Sequence, residues 1–129
     1  SLEDAKKLNR IGTVLGDARE ELLKSLGFTN LDPVSDNTKN LRKLFFGRID
    51  AFTSSNLGYR KTTDATDFSP DLLGEIAVIK QIDLYLTFSK GTNQDIITKW
   101  NNAFNELICD GTFEKIYKKW YPGEELPVK

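Results

Sequence analysis

The sequence predicts an α/β fold, a three-layer sandwich built around a mainly parallel sheet and followed by C-terminal helices. Three observations support this. Short β-favouring runs alternate with segments of helical spacing. Glycines and capping residues separate these segments. The 129 residues include one cysteine and no histidine, so neither an intramolecular disulfide nor the usual zinc cluster is expected to hold the chain together.

A first strand–helix unit is predicted near the start of the chain. Residues 11–15 form a β-favouring run that ends at Gly16, and Asp17 is expected to cap the next helix. Leucines at helical spacing continue that helix to Gly27, which is typical of a C-terminal stop.

A second unit follows directly. Residues 28–35 predict a weaker strand whose proline suits a strand start or an edge strand. Asp36 or Asn37 then caps a helix that Gly47 ends, and residues 49–53 predict the third strand.

The remaining segments are predicted as a loop, an extended stretch and two helices. Residues 54–69 are rich in polar turn residues and indicate a loop with one helical turn around 56–61. Residues 75–89 alternate apolar and polar over a length that suggests a bend or a crossing between units. Asn93 is expected to cap a long amphipathic helix, and a short last helix begins at Thr112.

The aromatic residues of these two helices have the spacing of a hydrophobic core. The four predicted core aromatics are Trp100, Phe104, Tyr117 and Trp120. Cys109 lies among apolar neighbours, so we predict a buried, inert thiol.

Composition argues against several classes of function. Eighteen Lys and Arg residues against nineteen Asp and Glu give a net charge of -1, so neither nucleic acid nor an anionic membrane surface is a predicted partner. The absence of histidine removes the commonest general base, and no nucleophile with a paired base is evident. We therefore predict a protein that is not an enzyme and that carries no cofactor and no metal.

Four segments, in order, resemble a known family. They are residues 11–16 (IGTVLG), 47–51 (GRIDA, preceded by Asn40 and Leu41), 84–90 (LYLTFSK) and 110–120 (DGTFEKIYKKW). In this order and spacing they are similar to the second half of the type II periplasmic solute-binding proteins, the extracellular solute-binding family 3 of the polar amino-acid-binding type. The resemblance covers residues 2–122.

The resemblance implies one lobe of a two-lobed clamp that closes by a hinge on a solute. Residues 1–90 would form the second lobe, with crossover segments near 2–9 and 82–86. Residues 91–129 would form the C-terminal helices, which in the family pack on a first lobe that is largely absent here. Their apolar face then needs another partner, either this lobe itself or a second copy in a packed or domain-swapped homodimer.

The resemblance also suggests which residues line the cleft. The turn of residues 16–19 matches the one where the family usually places a Ser or Thr pair that, with helix N-terminal N–H groups, holds the ligand carboxylate. Asp17 would repel a carboxylate and Arg19 would attract one, and Asp17 could instead be a plain N-cap. Ser54 stands where many members carry an aspartate for the ligand ammonium, and its turn could equally be an ordinary one. The predicted cleft residues are Asp17, Ala18, Arg19, Thr53, Ser54 and Ser55.

The function that follows is capture of a small polar solute, an amino acid or a related compound, in an interlobe cleft. The chain would be the substrate-binding component of an ABC-type uptake system with a membrane transporter permease as its partner. Its location would be periplasmic, or extracytoplasmic and membrane-tethered. Two alternatives remain at this point: a ligand-sensing domain of a membrane signalling receptor, or a lobe that has lost its ligand and mediates protein contacts.

Overall fold

The computed structural model describes residues 1–127, so the last two residues of the predicted segment 91–129 lie outside it. The chain divides into two compact units, the first ending at Ile82 and the second beginning at Asp83.

A small parallel sheet forms the centre of the first unit. Its strands are β1 (Ile11–Val14), β2 (Leu31–Val34) and β3 (Ala51–Phe52), in the order β2-β1-β3. All pairings are parallel, and the first residue of β1 pairs with the first residues of both neighbours. The predicted parallel sheet is confirmed, and the strand that contains a proline is at an edge.

The predicted third strand is longer than the regular strand β3. Backbone hydrogen bonds continue the ladder on both sides of it, from Asp50 N to Arg10 O and from Thr53 N to Gly12 O, each at 2.9 Å. The ladder therefore runs from Asp50 to Thr53, within the strand predicted over residues 49–53, although only Ala51 and Phe52 have full strand geometry.

Four helices and one 3-10 turn complete the first unit. They are α1 (Leu2–Ala5), α2 (Ala18–Ser25), α3 (Asn37–Phe45), α4 (Gly58–Asp64) and the turn Pro70–Leu72. Asp17 caps α2 and Asp36 caps α3 through their side chains, as predicted. The predicted single turn around 56–61 is instead the seven-residue helix α4. Within α4, the hydroxyls of Thr62 and Thr63 donate to the carbonyls of Gly58 and Arg60, so both are satisfied inside the helix.

The first unit has three layers because successive strand residues point to opposite faces of the sheet. Ile11 forms a buried cluster with Ala5 of α1 and Leu23 of α2. The next residue, Gly12, faces α3, and a Cβ built on it would lie 2.3 Å from Asn40 Oδ1. α1 and α2 thus cover one face and α3 covers the other, which confirms the predicted three-layer sandwich.

The alternating stretch that ends the first unit and begins the second forms no strand. Residues 73–89 have no regular secondary structure. Ile79 packs against the buried cluster of the first unit, whereas Ile82 and Leu84 are 70% and 85% exposed. Apolar alternation favours a strand only where another strand offers free hydrogen-bonding groups.

Two helices form the second unit. They are α5 (Gln94–Cys109), capped by the side chain of Asn93, and α6 (Thr112–Trp120). Gly111 joins them with a φ of 76°, a left-handed conformation that glycine adopts at little cost. Phe104 of α5 meets Phe113 of α6 edge to face, with ring centroids 5.7 Å apart. Both predicted helices are confirmed.

The predicted burial of their aromatic residues is wrong in most cases. Tyr117 is buried, but Trp100, Phe104 and Trp120 are 55%, 45% and 68% exposed. Helical spacing specifies which face of a helix is apolar, and does not specify what covers that face. The predicted buried thiol is also wrong: Cys109, the last residue of α5, is exposed.

Candidate functional site

The turns that carry the predicted cleft residues lie at the same edge of the sheet. β1 and β3 are parallel neighbours, so their carboxyl ends meet. Asp17 follows β1, and Ser54 follows the hydrogen bond from Thr53 N to Gly12 O that extends the β1–β3 ladder. Ligands of open α/β sheets bind beyond the carboxyl ends of strands, where helix N-termini also gather.

In the turn before α2, Asp17 is both a helix cap and an ion-pair partner. Asp17 Oδ1 accepts hydrogen bonds from Arg19 N and Arg19 Nε, both at 2.8 Å. Arg19 Nη2 donates to Asp17 Oδ2 at 2.7 Å. The Arg19 guanidinium, together with the Arg19 backbone amide, lowers the pKa of Asp17 to about 2. The sequence left the two roles of Asp17 open, and the structure shows the capping role together with an ion pair to Arg19.

Ala18, the third predicted residue of this turn, has no polar side-chain group. Ala18 is the first residue of α2 and is exposed. Its backbone lies between Asp17 and Arg19, so a solute that reached this turn would pass close to it.

Glu20 belongs to the same turn, although it was not among the predicted cleft residues. Its side chain is 2% exposed, and Oε2 accepts a hydrogen bond from Gly16 N at 2.6 Å. Glu20 Oε1 pairs with Lys24 Nζ at 3.0 Å. These two donors, Lys24 first, lower the pKa of Glu20. The sequence carried a partial signal, because a capping residue followed three positions later by glutamate is typical of a capping box. In a capping box the glutamate accepts from the N-cap amide, whereas Glu20 accepts from the preceding amide, Gly16 N.

In the turn after β3, the three predicted residues differ in burial and in the hydrogen bonds of their hydroxyl groups. Ser55 Oγ accepts a hydrogen bond from Gly58 N at 2.9 Å, which is an ordinary turn contact before α4. Thr53 is 5% exposed. Ser54 Oγ is buried and has no hydrogen-bond partner within residues 1–127. Buried polar groups are nearly always hydrogen-bonded, and Thr13 Oγ1, Asn30 Oδ1 and Asn40 Oδ1 share this unpaired state. Because less than 1 Å² of Ser54 Oγ is accessible, a ligand could contact it only after the turn after β3 rearranged.

Asp50, from the GRIDA segment, has a structural role. Its Oδ2 accepts hydrogen bonds from Asn9 N at 2.6 Å and from Arg10 N at 3.0 Å. It therefore ties the residues before β1 to the residues before β3, at the sheet edge opposite the predicted cleft.

Two cavities of the first unit lie away from the predicted residues. One, of about 460 Å³, lies between the C-terminal end of α3 and the loop after α4, and includes Arg42, Asp64 and Phe68. The other, of about 350 Å³, lies at the amino ends of β1 and β2. None of the six predicted residues lines either cavity. We weigh the sheet edge above the cavities because strand ends and a helix N-terminus meet there.

The described residues contain neither a metal-binding cluster nor a membrane-spanning helix. Within residues 1–127, no group of three or more His, Cys, Asp or Glu side chains is placed to hold a metal ion. No helix in that range is both long and apolar enough to cross a bilayer.

Comparison with known proteins adds one relative. The chain is similar to the arginine-binding extracellular protein ArtP of Bacillus subtilis (strain 168), with 30% identity over 137 aligned positions. The match covers 97% of this chain and 49% of that protein, so the chain spans about half the length of the curated relative that it matches. No family model matches the chain. No solved structure matches it either. The match supports a relationship to extracellular solute-binding proteins at a coarse level.

Proposed function

We propose that this chain is the second lobe, with the C-terminal helices, of an extracytoplasmic solute-binding protein that captures a small polar solute. The observation that carries the proposal is the meeting of two polar turns, those after β1 and β3, at the carboxyl edge of one parallel sheet. Similarity to an arginine-binding extracellular protein supports the same role.

The cleft surface of this lobe is proposed to consist of the two turns. The residues that we expect to line it are Asp17, Ala18, Arg19, Thr53, Ser54 and Ser55. Among these six residues, Ser54 has a buried hydroxyl without a hydrogen-bond partner, and a hydroxyl can both donate and accept. The solute would supply the missing hydrogen bonds as the clamp closes.

The solute class follows from the relative and from the site. The relative is an arginine-binding extracellular protein, and the proposed cleft residues include hydroxyl and carboxylate groups. Amino acids and related polar compounds are therefore the proposed solutes, and a membrane permease of an ABC-type uptake system is the proposed partner.

A ligand screen tests the proposal. The natural protein that carries this chain should be screened by thermal shift against amino acids, amines, organic acids and small peptides. A solute at ~100 times its Kd stabilises the folded state by ~2.7 kcal/mol, which raises the melting temperature measurably. The absence of any stabilising compound would contradict capture and favour a lobe that makes protein contacts.

Two variants and one control then test the cleft residues. Ser54→Ala removes the unpaired hydroxyl, and the loss of one neutral hydrogen bond should weaken solute binding roughly 2- to 10-fold in calorimetry. Arg19→Ala removes the partner of Asp17 and should also change affinity. Ser25→Ala is the matched control, since Ser25 is exposed at the opposite end of α2 and its hydroxyl bonds only to Leu22 O. Unchanged affinity in both Ser54→Ala and Arg19→Ala would show that the cleft assignment is wrong.

A further inference from the structure

Two backbone amides at the start of α2 are already bound by carboxylates of the chain itself. The free N–H groups at a helix N-terminus usually favour an anion, and α2 has eight residues. Here Arg19 N donates to Asp17 Oδ1, and Gly16 N donates to Glu20 Oε2. Asp17 N donates to Val14 O. These three amides are therefore already occupied by the chain itself.

The local charges lead to the same conclusion. The two cations near the turn, Arg19 and Lys24, are paired with carboxylates. Arg19 binds Asp17 through two guanidinium nitrogens. Lys24 lies 3.0 Å from Glu20 and 2.8 Å from Glu21. Three carboxylates against two cations leave no positive charge to attract a further anion.

We propose that Asp17 and Glu20 make this lobe reject anionic groups, so that the captured solute presents a neutral or cationic hydrogen-bond donor to it. The acceptors that remain fit such a group. Asp17 Oδ2 receives one hydrogen bond, from Arg19, and keeps acceptor capacity. Ser54 Oγ receives none. The solute class rests on the proposed function, whereas anion rejection is a property of the turn alone.

A sulfate titration followed by backbone amide NMR tests the rejection directly. Sodium sulfate is added to the natural protein up to about 50 mM while chloride keeps the ionic strength constant, because screening alone shifts weak ion contacts. In the wild type, the amides of residues 16–20 should show no saturable shift. A saturable shift there would overturn the proposal.

Asp17→Ser supplies the gain-of-function half of the test. Serine is as good an N-cap as aspartate, so α2 should persist, while the carboxylate is removed and the Arg19 guanidinium is released. Sulfate should then produce a saturable shift at residues 16–20, with an apparent Kd inside the titrated range, below about 50 mM.

The second variant and the control keep the result interpretable. Asp17→Ser with Glu20→Gln removes both carboxylates while Gln can still accept from Gly16 N, so sulfate should bind more tightly still. If neither variant gains sulfate binding while its other amide signals stay folded, the proposal is wrong. Asp36→Ser makes the same exchange at the N-cap of α3. In this control, sulfate should cause no saturable shift of the amide signals of residues 16–20. No solute is needed, so a failed ligand screen leaves this result standing.

Discussion

Substitution of Gly12 by alanine should destabilise the first unit strongly, because β1 and α3 approach too closely there for a methyl group. An added Cβ would lie 2.3 Å from Asn40 Oδ1 and 2.7 Å from Ile49 Cδ1. Asn40 is fully buried, and its Nδ2 donates to Thr13 O at 3.1 Å and to Asn37 Oδ1 at 3.0 Å. The side chain therefore cannot move aside without losing hydrogen bonds.

The expected cost has two parts. Overpacking a core costs roughly 1–3 kcal/mol, and the loss of one of the two Asn40 hydrogen bonds adds about 1 kcal/mol. We expect Gly12→Ala to lower the free energy of unfolding by roughly 2–4 kcal/mol, a large share of the ~5–15 kcal/mol typical of a domain. With a urea m-value of ~2 kcal/mol/M, the midpoint should fall by roughly 1–2 M.

Urea unfolding followed by far-UV circular dichroism measures this change. Both tryptophans, Trp100 and Trp120, lie in the second unit, so tryptophan fluorescence would follow the wrong part of the chain. Gly74→Ala is the matched control, because an added Cβ there has no atom within 4 Å and meets open space. The control should be neutral or stabilising by at most about 1 kcal/mol. If Gly12→Ala were as stable as Gly74→Ala, the reasoning about this close approach would be refuted.

Three further predictions concern packing, the GRIDA segment and pH. Leu41→Ala should cost about 2–5 kcal/mol in urea unfolding because Leu41 is fully buried, whereas Leu72→Ala, at a 69% exposed residue, should stay within about 0.5 kcal/mol. Asp50→Ala should cost roughly 1 kcal/mol because two backbone amides before β1 lose their acceptor, and Asp50→Asn should recover part of it. Arg19 lowers the pKa of Asp17 from 3.8 to about 2. The ionised Asp17 therefore stabilises the folded state above pH ~4, and this contribution is lost as the pH falls toward 2. Urea midpoints of Asp17→Asn should accordingly vary less with pH over that window, and parallel curves would contradict this.

The fold of the first unit was predictable because its signals are local. The caps Asp17 and Asp36 and the positive-φ glycines Gly16, Gly27 and Gly47 mark where elements begin and end. These residues act through their own backbone conformation or through amides two or three positions away. Such signals need no knowledge of the rest of the chain, which explains why the order from β1 through α2, β2 and α3 to β3 was predicted correctly. Helix α1 was not predicted, and α4 was predicted only as a single turn.

The site was only partly predictable, because the sequence does not show which hydrogen-bond or ion-pair partner each charged side chain takes. Asp17 could have capped α2 with Arg19 left free for a ligand, or it could have held Arg19 as well. Both arrangements satisfy the same sequence pattern, and only the observed distances decide between them. Glu20 was missed although its capping-box spacing was visible, since a charged side chain that is almost fully buried is not the default expectation.

Periodicity was least informative where burial depends on a second surface. The alternation in residues 75–89 and the apolar face of α5 are equally regular in sequence, yet Leu84 and Trp100 are 85% and 55% exposed. Buried side chains of the first unit, such as Ile11 and Leu23, lie where neighbouring elements of that unit meet. A regular apolar pattern therefore predicts the conformation of a segment, and burial follows only where another element supplies a matching face. For α5 and α6, the Phe104–Phe113 contact is one such match, and it explains why the two helices form a unit although most of their apolar face is exposed.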